Sequence, residues 1–192
     1  MVRYNAVEDP LCYPGTHVLR NKAEIKDQDL LDEFEQLMFD SRAAETLPDG
    51  SFDFAHYRAL HRHFFQDVYV WAGELRTIRT GKGENWFCYP EYIEREAERL
   101  FSAAAARGDL AGAESRDAFA NGAAWFLAEL NAIHSFREGN GRIQLVFLTM
   151  LTRKASYRLD ERKLRPKPFL DAMIASFSGN ISSLAVEIGR ML

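Results

Sequence analysis

The chain reads as an all-α fold, one domain carrying a small β-hairpin, and three observations predict it. Apolar residues recur at helical spacing in one segment after another between residues 29 and 191. A single stretch, 75–88, alternates instead and has a glycine-rich middle. Pro and Gly clusters punctuate the helical segments, but no repeat, low-complexity tract or linker divides the 192 residues. That length suits one domain with a substantial core, residues 1–192.

Residues 1–27 read as irregular, with a turn at Tyr13-Pro14-Gly15-Thr16. From Asp29 to about Glu45 a helix places Leu30, Leu31, Phe34, Leu37 and Met38 on one stripe. Pro48-Asp49-Gly50 breaks the chain, and Asp53 then caps a helix that turns Phe54, Tyr57, Leu60, His61, Phe64 and Phe65 inward. His61 and His63 lie two apart, so they face different ways and do not share a metal. After Trp71-Ala72-Gly73, residues 75–80 alternate as a strand, Gly81 to Asn85 is turn material, and Trp86 to Tyr89 returns. A lone hairpin is marginal by itself, so it is expected to lie on the helical body with Trp71 and Trp86 beneath it. Helices follow at about 91–106 (Ile93, Ala97, Leu100, Phe101 inward) and 116–133 (Phe119, Ala123, Phe126, Leu127, Leu130 inward). Beyond the connection 134–141, Arg142 opens a helix with Ile143, Val146, Phe147, Met150 and Leu151 as its stripe. Pro168 suits the first turn of the next, with Phe169, Met173 and Phe177, and Gly179 ends it. Ile181 to Met191 makes a last short amphipathic helix.

Composition excludes several classes. With 47% hydrophobic and 27% charged residues the chain is of ordinary globular type. Its 24 Lys and Arg against 28 Asp and Glu give a net charge of −4, which argues against non-specific nucleic-acid binding. No long uncharged apolar run suits a membrane span, and the first ten residues lack a signal-peptide core. Cys12 and Cys88 are too few for a disulfide framework. A cytoplasmic protein with reduced thiols is expected.

The chemistry concentrates in His134-Ser-Phe-Arg-Glu138-Gly139-Asn140-Gly141-Arg142, between two helices. Two glycines near a helix start let backbone N–H groups approach an anion without Cβ interference, where the helix dipole favours negative charge. Arg142 can clamp a phosphate with its planar fork, Glu138 can hold a divalent cation, and His134 is a proton acceptor. Taken singly, each has an ordinary explanation: a capping histidine, a solvated acid, a helix-ending glycine. Taken together, these residues describe a phosphate site beside a base.

This stretch resembles the signature of the Fic family, HxFx(D/E)GNGRxxR. Agreement continues at Tyr13-Pro-Gly-Thr, Leu19-Arg-Asn-Lys22, Phe52-Asp-Phe, Leu60-His-Arg-His-Phe-Phe65 and Tyr69-Val-Trp-Ala-Gly-Glu-Leu-Arg76, so it covers nearly the whole chain. The resemblance implies a helical Fic fold and transfer of AMP from ATP to a Ser, Thr or Tyr hydroxyl of a target protein. It gives His134 the role of base and Glu138 that of Mg²⁺ ligand. Gly139, Asn140 and Gly141 would hold phosphate oxygens, Arg142 would neutralise the diphosphate, and Phe136 would anchor the loop in the core. The hairpin becomes the family's flap, aligning a target by strand addition, with Thr80, Gly81 and Lys82 near ATP or target.

Departures shape the expectations. Leu145 stands where a second arginine is usual, with Gln144 a neutral substitute donor, which keeps open another nucleotide donor. Ser135 replaces a commoner proline, and Gly141 excludes the Doc-like kinase variant, which has lysine there. Fic enzymes are often restrained by a helix bearing (S/T)xxxE(G/N). Ser41…Glu45 and Ser183…Glu187 match its first spacing only, so both acids are read as solvated, and a separate antitoxin-like protein is expected to restrain the enzyme. Kinship with stand-alone Fic toxins points to topoisomerase subunits as targets. The competing reading from another class is a non-catalytic nucleotide- or peptide-binding module.

Overall fold

The computed structural model describes residues 9–83, 85–108 and 110–192; residues 1–8 of the irregular start and Glu84 of the expected turn lie outside the described residues. Among the described residues, seven α-helices run in the order α1 (Gln28–Ala43), α2 (Phe54–Phe65), α3 (Ile93–Ala106), α4 (Arg116–Ile133), α5 (Asn140–Lys154), α6 (Pro166–Ser176) and α7 (Ser182–Met191). Side chains take up otherwise orphaned N–H groups where three of them start. Asp27 accepts from Leu30, Asp53 from His56 and Ser115 from Ala118, each worth about 1 kcal/mol. Pro166 opens α6 two residues ahead of Pro168, at a position where a missing N–H costs nothing. The Tyr13–Thr16 turn is present, closed by Thr16 N–H on the Tyr13 carbonyl at 3.0 Å. Among the described residues, no helix is long and apolar enough to cross a membrane.

α4 is the spine, packed against α3, α5, α6 and α7. Phe119, Ala123, Phe126, Leu127 and Leu130 are all buried along it, as their spacing predicts. An aromatic cluster fills the centre: Phe101 meets Phe126 at 5.2 Å, and Tyr57 meets Phe147 at 5.5 Å, both edge to face. Phe136, from the connection between α4 and α5, joins this cluster against Tyr57 at 5.4 Å. The signature loop is thereby anchored in the core by its own aromatic ring.

Two elements differ from expectation. The hairpin pairs only Gly81–Lys82 (β1) with Asn85–Trp86 (β2), antiparallel, Gly81 opposite Trp86. Residues 75–80 form no strand, and Arg76 among them is committed to the α4–α5 connection. Arg76 N–H donates to Ser135 O at 3.0 Å, and its buried side chain donates to the carbonyls of Ile78, Cys88, Ile133 and His134. Neither tryptophan lies beneath the hairpin. Trp71 stacks on Tyr69 at 4.2 Å, whereas Trp86 is 50% exposed on a ladder too short to cover it, with Arg79 over its ring.

α1 is rotated relative to its sequence stripe. Leu30 and Leu37 face out at 57% and 62% exposure, while Leu31 and Glu35 are buried at 1% and 6%. The rotation brings a carboxylate inward, where Tyr69 OH and Arg142 both donate to it. Leu31→Ala is expected to cost about 2–5 kcal/mol as a core truncation. Leu37→Ala is expected to stay within about 0.5 kcal/mol. Urea unfolding midpoints of the two variants check the rotation directly.

Candidate active site

The site is built where α4 ends and α5 begins. His134 caps α4 in the left-handed conformation (φ 51°, ψ 64°), its N–H still bonded to Leu130 O. Gly139 precedes α5 in the same region (φ 80°), where a side chain would also strike the Phe65 ring, 2.3 Å from an added Cβ. Gly141, by contrast, has open space at its Cβ position, as a face meant for a ligand needs. The carbonyls along the connection are pinned by polar groups from elsewhere. Arg76 takes those of Ile133, His134 and Ser135, Asn140 Nδ2 takes Phe136 O at 2.8 Å, and His61 Nε2 takes Glu138 O at 3.0 Å.

His134 is 5% exposed, its ring lying flat on Phe87 at 3.6 Å and 3°. Burial, then the nearby charges of Arg76, Lys82 and Arg137, push its imidazole down to about 3, against a hydrogen bond to Asn131 that raises it. The ring is therefore neutral near pH 7, ready to accept a proton. Glu138 is half-buried and accepts from Gly139 N–H at 2.8 Å. Burial and the neighbouring Glu35 charge raise its carboxyl above the usual range, opposed by that N–H and by Arg142 and Arg137. Arg142 donates to Glu35, lies 3.9 Å from Glu138 and rests over Phe65 at 4.7 Å. Arg137 of the signature is buried in an ion pair with Asp9.

Glu138, Arg142 and Lys82 line one cleft of about 1270 Å³, walled by α1 and by residues 9–19. Other expected site residues sit differently. The Asn140 side chain is spent on both main-chain groups of Phe136, leaving its backbone N–H for an anion. Gln144 is 3% exposed and does not line this cleft; no partner for its Nε2 occurs among the described residues. Thr80 and Gly81 are buried in the hairpin root, outside the same lining. Glu45 pairs with Arg42, and Glu187, buried rather than solvated, pairs with Arg165, so neither engages Arg142 in the recorded ion pairs. Sequence reasoning missed Glu35, which reaches the anion-site arginine. The sequence offered only its spacing, one turn beyond Leu31 on α1.

A family model described as "Fic/DOC family" matches residues 51–152. Over its whole length the chain is 78% identical to all of the probable protein adenylyltransferase y4lH of Sinorhizobium fredii. It is 30% identical over 99% of its length to 95% of the probable protein adenylyltransferase Fic of Escherichia coli K12. Among solved structures, the BepC protein of Bartonella tribocorum with bound AMPPNP superposes with a TM-score of 0.84 at 26% identity, covering 94% of this chain and 95% of that one.

Two of the buried histidines, His61 and His134, sit near 3 in the folded chain and at about 6.5 when unfolded. Between those values the unfolded state binds the extra protons, so stability is full above pH 6.5 and is lost as pH falls. The raised Glu138 carboxyl offsets part of this at the acid end. Denaturant unfolding is expected to show a slope of about 1.4 kcal/mol per pH unit for each histidine below pH 6. His134→Ala should remove about one proton from that slope, which measurements at pH 6, 5.5 and 5 check.

Proposed function

The chain belongs to the Fic/DOC family, and from that premise we propose that it is a protein adenylyltransferase, moving AMP from ATP to a Ser, Thr or Tyr hydroxyl of another protein. One observation carries the reading: the connection from α4 to α5 holds a neutral buried imidazole next to a helix N-terminus, with Glu138 and Arg142 in one cleft. A helix start with open N–H groups is an anion site, and a neutral base beside it suits attack by a hydroxyl.

The acceptor oxygen attacks the α-phosphorus, its proton passes to His134, and the bond from the α-phosphorus to the bridging oxygen breaks to release diphosphate. Backbone N–H groups at Gly139, Asn140 and Gly141 stabilise the phosphate oxygens, and Arg142 faces the leaving group. Burial first, and then the charges of Arg76, Lys82 and Arg137, make the imidazole a weak base. A bound nucleotide brings negative charge that raises its proton affinity, so base strength develops only with substrate in place. Lys82, from the hairpin, lines the same cleft and adds charge toward phosphate. For Thr80 and Gly81 the reading is indirect, through holding the hairpin root.

The donors present fit Mg²⁺. Glu138 offers one half-buried carboxylate whose charge is disfavoured by burial and then by Glu35, and so receptive to a cation. Magnesium is commonly held by one or two carboxylates with phosphate oxygens and waters completing its shell. Bound through Glu138, it would neutralise phosphate charge. Leu145 supplies no cation one turn along α5, which favours a second reading, the same transfer from a different nucleoside triphosphate. Restraint by a separate antitoxin-like protein is supported by the pairing of Glu45 and Glu187 with residues other than Arg142. Topoisomerase subunits are the first targets to test.

Labelling of bacterial lysate and of purified topoisomerase subunits with α-labelled ATP, GTP and UTP tests the activity and the donor together. Label on protein from ATP, abolished in His134→Ala, is expected; equal labelling by that variant rejects the reading, and stronger labelling from GTP or UTP selects the second donor. Glu35→Ala is expected to lower transfer about tenfold, because Arg142 loses the carboxylate that orients it (about 1.4 kcal/mol). A faster variant would instead identify Glu35 as a restraint.

A further inference from the structure

Four residues before the end of α2, His61 is fully buried and does not line the cleft, yet both ring nitrogens are engaged. Nδ1 receives the Gly73 N–H at 2.9 Å, and Nε2 lies 3.0 Å from the Glu138 carbonyl oxygen. A backbone N–H only donates and a carbonyl only accepts, so the ring must be neutral with its proton on Nε2. Burial keeps it so, pushing its pKa down to about 3. The ring stacks on Phe136 at 3.8 Å and on Phe65 at 4.7 Å, which fixes its plane. Its Gly73 anchor is also rigid: φ is +83°, and an added Cβ would meet Arg62 Cβ at 2.8 Å.

What this ring holds is the peptide between Glu138 and Gly139. In a planar trans peptide the C=O and N–H point in opposite directions, so fixing the Glu138 oxygen fixes the Gly139 N–H. That N–H now meets the Glu138 carboxylate on the site side. Glycine tolerates either orientation of such a peptide at little cost, so nothing intrinsic to Gly139 prevents a flip. We propose that His61 is a positioning residue for the transfer reaction: through its Nε2–H it locks the Glu138–Gly139 peptide with the N–H turned toward the phosphate site. The neighbouring His63 takes no part, since its Nε2 meets Arg42 O at 3.0 Å on another side of the helix. A histidine that merely filled the core would be indifferent to which of its two hydrogen bonds survived. The inference rests on the proposed adenylyl transfer, and its test separates the two.

The carboxamides of Gln and Asn each reproduce one of the two bonds. His61→Gln reaches the Nε2 position and keeps a donor for Glu138 O; His61→Asn stops at the Nδ1 position and keeps only an acceptor for Gly73. Thermal melts are expected to fall by similar amounts in both. Transfer from α-labelled ATP is expected to stay within about fivefold of the parent in the Gln variant. In the Asn variant it should fall by about 100-fold, the scale of a 1 Å misplacement, with a raised KM for Mg·ATP. Equal losses in both variants, or the reverse order, overturn the proposal. Nitrogen-15 NMR of the parent's histidines gives a second test that does not need the variants to fold. An Nε2–H tautomer that does not titrate between pH 5 and 8, and whose shift moves when Mg·AMPPNP is added, supports the lock. A titrating ring, the other tautomer, or an unmoved shift overturns it. Absence of any transfer by the parent chain would count against the adenylyltransferase reading alone.

Discussion

Arg76 places a guanidinium among backbone carbonyls and no carboxylate. It donates to Ile133, His134, Ile78 and Cys88, while its own N–H reaches Ser135. Buried main-chain groups must be paired, and a connection that leaves a helix in the left-handed conformation and re-enters another through a left-handed glycine has few partners of its own. Arg76 supplies them from the α4 side, and His61 and Asn140 supply them from α2 and α5. The desolvation cost of this arrangement is visible in Arg76 itself, whose pKa is drawn down to about 10 by burial. Five charge-assisted or backbone hydrogen bonds offset it. The site's geometry follows: His134 can sit in a strained cap because its carbonyl is held.

The same residue ties the base to the hairpin. Ile78 and Cys88 flank the two short strands, and both are bonded to the guanidinium that bonds His134. Cys88 N–H also reaches Ala132 O at 3.0 Å, two residues before the cap. Phe87, from the return limb, lies flat on the imidazole. The hairpin is therefore small in hydrogen-bonded ladder yet firmly rooted. Its roots and the base are one hydrogen-bonded assembly, so a segment that binds along the hairpin edge is registered against His134 without a long strand being needed.

Helices were legible because their apolar spacing and caps are local properties: α4 is found at 116–133, and Asp53 is the cap its position suggests. The signature loop was legible for another reason, since two glycines, an amide and a guanidinium in sequence have few joint uses. What escaped was every residue whose role depends on a distant partner. Glu35 lies 107 positions from Arg142, and Arg76 lies 58 from His134. Arg76 stands in an alternating pattern, which looks like strand until the carbonyls it serves are known. His61 was correctly turned inward, but periodicity says only that a side chain is buried, and nothing about the carbonyl 77 residues away that it holds. Asn140 is placed at the phosphate site by its position in the motif; that its side-chain amide also closes the loop on Phe136 is visible only in the fold.

Leu145 gains meaning from this arrangement. It lines a largely apolar groove with Phe39, Phe52 and Met150, bordered by Arg142, Arg153 and Lys154, and it adds no charge to the cleft that Glu138 and Lys82 share. Charge compensation for a leaving diphosphate thus rests on few groups. Arg137 lines the cleft but is neutralised by Asp9, and one edge of Arg142 is held by Glu35. A guanidinium has five donors in a planar fork, so fixing one edge leaves the other oriented rather than blocked. Lys82 enters the same cleft from the hairpin, on a flexible stem and without a recorded ion pair among the described residues. In the proposed transfer, with the second arginine absent, positive charge toward the distal phosphates would come from a rigid fork on α5 and a movable ammonium on the hairpin. Nucleotide placement would then depend on the Lys82 side chain, carried by a hairpin already rooted to His134 through Arg76.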